Sequence, residues 1–298
     1  MTTEQSDETE PVIDLSCTTH TYPDGTVGVH DADFSVYPEE IVAVIGSNGA
    51  GKSTLLEHLN ATLLPDEGRL VVDGVSITEE TKAYARNEVG FVFQDADTQL
   101  VAPTVLDDVL FGLQNRGIPD TEARQRARDA LATVNAAQLE DRVPHYLSGG
   151  EKRLVGLAGV LVTDPAVVVL DEPFAGLDPE RSQLVADRLR QIHDDGISIV
   201  VSTHDIEAAA ELADRVCVVA DGDVIADGTP REVFYDDALL AEAGLRPPTA
   251  VRIARQTGID AAAQPVTEAE LVSHITETGS ATSTDTGPAV TAGGSDSD

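Results

Sequence analysis

The run Gly46-Ser47-Asn48-Gly49-Ala50-Gly51-Lys52-Ser53 constrains the fold of this chain more than any other stretch. It follows five apolar residues, Ile41-Val42-Ala43-Val44-Ile45, and precedes Thr54-Leu55-Leu56-Glu57-His58-Leu59, which reads as a helix. The spacing is G-x-x-x-x-G-K-[ST], set between a strand and a helix as its chemistry requires. Glycines let successive backbone N–H groups converge on an anion, and the following helix adds the positive end of its dipole. Lys52 is placed to reach β- and γ-phosphates, and the Ser53 hydroxyl to ligate Mg²⁺. Residues Gly46 to Thr54 therefore imply a nucleoside triphosphate site on a strand–loop–helix unit, which belongs to a parallel α/β core.

Two further stretches narrow the class. Leu147-Ser148-Gly149-Gly150-Glu151 opens a helical run that ends near Thr163, and Val167-Val168-Val169-Leu170-Asp171-Glu172-Pro173 is a buried strand ending in two carboxylates. Taken alone, Ser148-Gly149-Gly150 is also an ordinary helix N-cap, and Asp171-Glu172 a solvated strand end. In this order, followed by Ala175-Gly176-Leu177-Asp178, the set resembles the nucleotide-binding subunits of ATP-binding-cassette (ABC) transporters from about Val12 to Gly258. That resemblance implies ATP and Mg²⁺ as cofactors and an α/β fold. The expected architecture is a P-loop NTPase (RecA-like) parallel-sheet core with an N-terminal antiparallel β subdomain and an inserted α-helical subdomain.

The resemblance also assigns roles that single residues could not carry. Asp171, with Ser53 and Gln94, would hold the Mg²⁺ shell. Glu172 would orient or deprotonate the attacking water, since phosphoryl transfer needs positioning and charge neutralisation above all. Gln94 follows the Val89–Phe93 strand and matches the family glutamine that senses Mg²⁺ and the γ-phosphate. His204, in Ser202-Thr203-His204-Asp205, matches the switch histidine. Tyr22, in Thr21-Tyr22-Pro23-Asp24-Gly25, sits where the family stacks an aromatic ring on adenine; as a residue alone it is equally a turn tyrosine. Leu147 to Glu151 would serve the nucleotide of a second subunit, because family dimers face head-to-tail. Two departures stand out: Leu154 where the family usually has arginine, beside Arg153, and Glu40 in place of a glycine.

Composition sets the outer bounds. With 298 residues the chain can bury a full α/β core plus small appendages. It carries 53 acidic and 19 basic residues, a net charge of −34, and its lysines are Lys52, Lys82 and Lys152 alone. Such an excess excludes general nucleic-acid binding, where phosphates must be met by positive charge. It matches proteins of salt-accumulating halophiles, in which dense screening relieves the repulsion. Cys17 and Cys217 are isolated and offer no metal spacing. Apolar runs are strand-sized, so service to a membrane would go through a partner.

Along the chain, residues 1–10 read as a disordered acidic N-terminus and 11–243 as the ATP-binding domain, with its helical subdomain at about 100–147. A helical element follows at 244–278, with helices at Leu245–Gly258 and Thr267–Thr276, the latter opening on a Thr267/Glu270 capping box. Residues 279–298 read as a disordered tail. Asp120 is the expected N-cap of a helix over Thr121–Asn135.

The stretches Phe93–Leu100, Ala102–Val105 and Asp107–Gly112, with Gly244-Leu245-Arg246-Pro247-Pro248, resemble the energy-coupling-factor branch, which drives uptake of cobalt, nickel, biotin and other vitamins. This implies a second ATPase subunit, an integral membrane permease, a substrate-binding membrane subunit, and a place on the cytoplasmic face of the cell membrane. The alternatives are a soluble ABC ATPase outside transport, or the ATPase of another ABC importer class. In the family, the segment after the glutamine receives permease helices, so Leu100 and Val101 are expected to be partly exposed.

Overall fold

The structure is a computed structural model that describes residues 10–259 and 263–281. The N-terminal half begins with β1 (Ile13–Thr21), β2 (Val27–Val36), β3 (Ile41–Ile45) and α1 (Lys52–Leu59). Then come β4 (Glu67–Val72), β5 (Val75–Ser76), α2 (Lys82–Glu88) and β6 (Val89–Val92). A helical segment follows: α3 (Ala96–Gln99), α4 (Val105–Asn115), α5 (Asp120–Thr133) and α6 (Gly149–Leu161). The core resumes with β7 (Val167–Leu170), α7 (Pro179–Asp194), β8 (Ser198–Thr203), α8 (Ile206–Leu212), β9 (Arg215–Ala220) and β10 (Asp223–Gly228). Four helices close the described chain: α9 (Pro230–Phe234), α10 (Asp237–Glu242), α11 (Thr249–Thr257) and α12 (Glu268–Ala281).

Two sheets form. One is antiparallel, in the order β2-β1-β4-β5; the other has six strands in the order β10-β9-β3-β8-β7-β6. In the larger sheet β9, β3, β8, β7 and β6 are parallel, as expected for short apolar strands covered on both faces. β3 shows why it needs cover on both sides. Val42 and Val44 enter a core shared with α1 and the antiparallel sheet. Ile41, Ala43 and Ile45 enter the core shared with α4, α6 and α7.

The expected parallel-sheet core is present, with one antiparallel strand added at its edge. β10 runs antiparallel to β9 and forms the sheet edge. The turn joining them is Asp221-Gly222, both at positive φ (49° and 91°), as a two-residue hairpin demands.

Three helix boundaries also differ from the sequence reading. Asp120 is the first residue of α5, not its cap; Pro119 is the cap, and the Asp120 carboxylate accepts from Arg124 Nε at 2.9 Å one turn on. α11 starts at Thr249 rather than Leu245, because Pro248 keeps an extended backbone (φ −51°, ψ 154°). α12 runs through Gly279 to Ala281, past the point where the tail was expected to begin. At its start Thr267 Oγ1 accepts from the Glu270 N–H, but the Glu270 carboxylate accepts from Val266, one residue short of a full capping box. The expected disorder of residues 1–9 and 282–298 lies outside the described residues.

Candidate functional site

Gly46 to Gly51 leave the buried end of β3 and turn into α1, whose N-cap is Gly51 at φ 109°. Only glycine fits there: a Cβ would lie 2.4 Å from the Gly28 carbonyl oxygen of β2. Next to Gly28 the loop is also pinned by the β9–β10 turn, where the Gly222 N–H donates to Ala50 O at 2.8 Å. The edge hairpin that the sequence reading overlooked is thus part of the loop's cradle. Lys52 is almost wholly buried, 6% exposed. Its ammonium donates to the Gly46 and Ser47 carbonyls (3.0 and 3.2 Å) and stands 3.5 Å from Glu172 Oε1.

Glu172 comes from the end of β7 and is gripped on both oxygens. Lys52 faces Oε1, and His204 Nδ1 lies 2.7 Å from Oε2. Ser202, on β8, links the two acidic neighbours: its hydroxyl donates to Asp171 Oδ1 at 2.5 Å and accepts the Glu172 N–H at 2.8 Å. The Asp171 N–H donates in turn to Val92 O, the last residue of β6. Three adjacent strands of the sheet therefore position the carboxylate pair.

A cavity of 420 Å³ opens over these groups. It is lined by Tyr22, Gly28, Asn48, Gly49, Gly51, Lys52, Ser53, Thr54, Gln94 and Glu172, with Thr26 and Val27 at its rim. So the structure brings Tyr22, the loop, Gln94 and Glu172 to one hollow. Asp171 is buried behind it, 7% exposed, and raises the pKa of half-buried Glu57 on α1, although burial is the larger cause of that rise. The residues Leu147 to Glu151 line no part of it. Ser148 caps α6 in a complete capping box: its hydroxyl accepts from the Glu151 N–H (3.3 Å) and the Glu151 carboxylate from the Ser148 N–H (2.7 Å). That bond, with the nearby Ser148 hydroxyl and the charges of Arg142 and Arg181, holds the Glu151 carboxyl below the usual carboxylate range.

Comparison with known proteins agrees with this arrangement. A family profile described as "ABC transporter" matches residues 29–175. The energy-coupling factor transporter ATP-binding protein EcfA of Methanothermobacter thermautotrophicus is 44% identical over 239 residues, 80% of this chain and 77% of the relative. The cobalt import ATP-binding protein CbiO of Rhodobacter capsulatus is 44% identical over 246 residues, 82% of this chain and 88% of the relative. Among solved structures, cbiO1 from Clostridium perfringens, part of the ABC transporter complex cbiONQ, superposes with a TM-score of 0.71 at 36% identity. The match covers 84% of this chain and all of that one. The chain belongs to the ATP-binding subunits of ABC transporters.

As an ABC ATPase, the chain hydrolyses ATP on a P-loop fold, and its two departures from the family pattern find local explanations. Leu154 is 6% exposed and joins the core of the helical segment, while Arg153 beside it donates to Ala175 O at 2.6 Å. Helix α6 is thereby still tied to the Ala175–Asp178 loop. Glu40 pairs with Arg215 on both oxygens (2.7 and 3.1 Å), and Arg215 also reaches Asp227. Burial pulls the Arg215 pKa down, but the bonds to Glu40 and Asp227 outweigh it and the net shift is upward. Sequence reasoning missed Ser202 as a support and Thr26, Val27 and Gly28 in the cavity lining. Ser202 carried a faint signal, a hydroxyl at the end of a buried strand. Thr26, Val27 and Gly28 carried none, since their place at the cavity arises only from how the folded chain packs beside the loop.

Proposed function

We propose that this chain is the ATPase subunit of an energy-coupling-factor-type importer of a metal ion or vitamin (cobalt, nickel or biotin), working at the cytoplasmic face of the cell membrane. The grip on Glu172 by Lys52 and His204, at the floor of the cavity that holds the phosphate loop, carries the reading of the site. The Ser53 hydroxyl, the Gln94 side-chain oxygen and the Asp171 carboxylate are hard oxygen donors of the kind Mg²⁺ takes. Among the described residues no cluster of three or more His, Cys, Asp or Glu competes for a metal. When bound, Mg²⁺ neutralises charge on the β/γ-phosphate oxygens.

The protein's own groups do the rest. Loop N–H groups and Lys52 hold the phosphates, and Tyr22 supports the base. Glu172 directs the water and takes its proton, while His204 holds the Glu172 carboxylate in register and contacts the γ-phosphate. Leu147 to Glu151 lie away from this cavity and serve nucleotide held by a second ATPase subunit, through the N-terminus of α6.

Among the described residues no helix is long and apolar enough to cross a membrane. The transport partners are an integral membrane permease and a substrate-binding membrane subunit. Similarity to EcfA, CbiO and cbiO1 supports this branch. The decisive variant is Glu172→Gln. It should bind ATP like the wild type, lose turnover by about a hundredfold or more, and scatter light as a dimer in ATP. Normal turnover would remove Glu172 from its role.

A further inference from the structure

Outside the phosphate loop, Tyr22 sits in a closed ring of contacts that runs through His20, His58 and Thr54. Its hydroxyl is 3.0 Å from Thr54 Oγ1. Its ring meets the His20 ring nearly at right angles, 86° between planes and 4.9 Å between centroids. His20 in turn meets the His58 ring edge-on, 5.2 Å away. His58 is fully buried on α1, and its Nδ1 lies 2.6 Å from the Thr54 carbonyl oxygen. A carbonyl can only accept, so Nδ1 carries the proton. The path therefore leaves Thr54 by its hydroxyl and returns to Thr54 by its backbone. Gly28 closes the underside: a Cβ there would lie 2.6 Å from Thr54 Cγ2 and 2.9 Å from Tyr22 Cε2.

We infer that His20 and Gly28 are positioning residues for the nucleotide base, which clamp Tyr22 against the first turn of α1 and so fix the base platform relative to the phosphate loop. The inference rests on the reading of Tyr22 as the base platform. Physically, a tyrosine in the turn between β1 and β2 would sample several rotamers, and ordering it on binding would weaken affinity. Here an aromatic edge contact, a hydroxyl pair and a missing Cβ select one orientation before any base arrives. Because both ends of the path meet at Thr54, the platform and the phosphate-binding helix move as one body.

Dissociation constants for ATP and for inorganic tripolyphosphate, measured by calorimetry on the full chain together with kcat, test this. His20→Ala should weaken ATP about three- to tenfold, the size of one aromatic pair. It should leave tripolyphosphate affinity and kcat within about twofold, and His20→Phe should restore ATP affinity. In a Tyr22→Ala background, His20→Ala should add nothing. If Tyr22→Ala weakens ATP but His20→Ala does not, the clamp is wrong and the platform stands. If Tyr22→Ala itself leaves ATP affinity intact, the platform reading fails and takes the clamp with it. Equal loss of ATP and tripolyphosphate in His20→Ala would also overturn the proposal. Should His20→Ala not fold, His20→Gln, which keeps a side chain of similar length without the aromatic edge, decides by the same comparison.

Discussion

Glu172 occupies the left-handed region at φ 47°, which costs a residue with a Cβ about 1–2 kcal/mol. The bond from its N–H to Ser202, together with the ion pairs on its side chain, holds it there, and strain of this kind gathers at functional sites. The sequence motif named Glu172 and Asp171 but could not show what aims them. Motifs record which atoms meet the ligand; supports such as Ser202 and His58 depend on packing between segments far apart in the chain. His58 has its own measurable consequence. Burial above all pushes its pKa down to about 4 from the ordinary 6.5; the Thr54 bond and Asp66 oppose that, and His20 adds to it. The folded protein keeps the ring neutral while the unfolded chain protonates it below pH 6.5. Stability is therefore full above that value, is lost as pH falls toward 4, and levels off below, a change of about 3 kcal/mol. Urea midpoints of wild type and His58→Phe at pH 7 and pH 4.5 check the sign. The wild type should lose more on acidification, and parallel losses would contradict the burial effect.

At the scale of elements, strands and helices with continuous apolar patterning were legible, because period and burial agree. What escaped was punctuation. Asp221-Gly222 is a strong hairpin signal, but β10 after it is polar and only half-buried, so no apolar run announced a strand. The segment after Gln94 shows a finer distinction. Leu100 is half-buried and packs on the core, whereas Val101 is 76% exposed and Phe111 on α4 is 58% exposed. Asp108 accepts from the N–H groups of Val101 and Ala102 at 2.9 and 3.0 Å, so the outward turn of Val101 is fixed rather than frayed. Behind it, Lys152 of α6 pairs with Asp97 of α3. Exposed apolar side chains on a braced frame suit a partner helix that buries into them. Val101→Asp with Phe111→Asp should leave ATP binding by the isolated chain unchanged and abolish co-purification with the membrane subunits. A double variant that still assembles and transports would rule out this face.

Across the whole molecule, charge dominates. A net charge of −34 works against compaction through self-repulsion, and screening shortens to about 3 Å at 1 M salt. The melting temperature should therefore climb between dilute buffer and molar KCl, and a flat response would detach the acidic composition from any adaptation to salt. Fold class was readable at this scale because one loop, one strand and one helix dictate a layered sheet. Net charge said nothing of how the few cations are spent. All three lysines face carboxylates, but Lys52 and Lys152 are only 6% and 13% exposed, which leaves Lys82, at 33% and paired with Glu79 at the surface, as the most accessible lysine. An amine-reactive dye or surface linker thus meets essentially one lysine side chain, on α2 and away from the cavity. Molecules tethered through it share an orientation with the nucleotide site unobstructed. Lysine-to-lysine crosslinkers, by contrast, yield almost no distance restraints on its assemblies, and carboxylate-directed chemistry has to take their place.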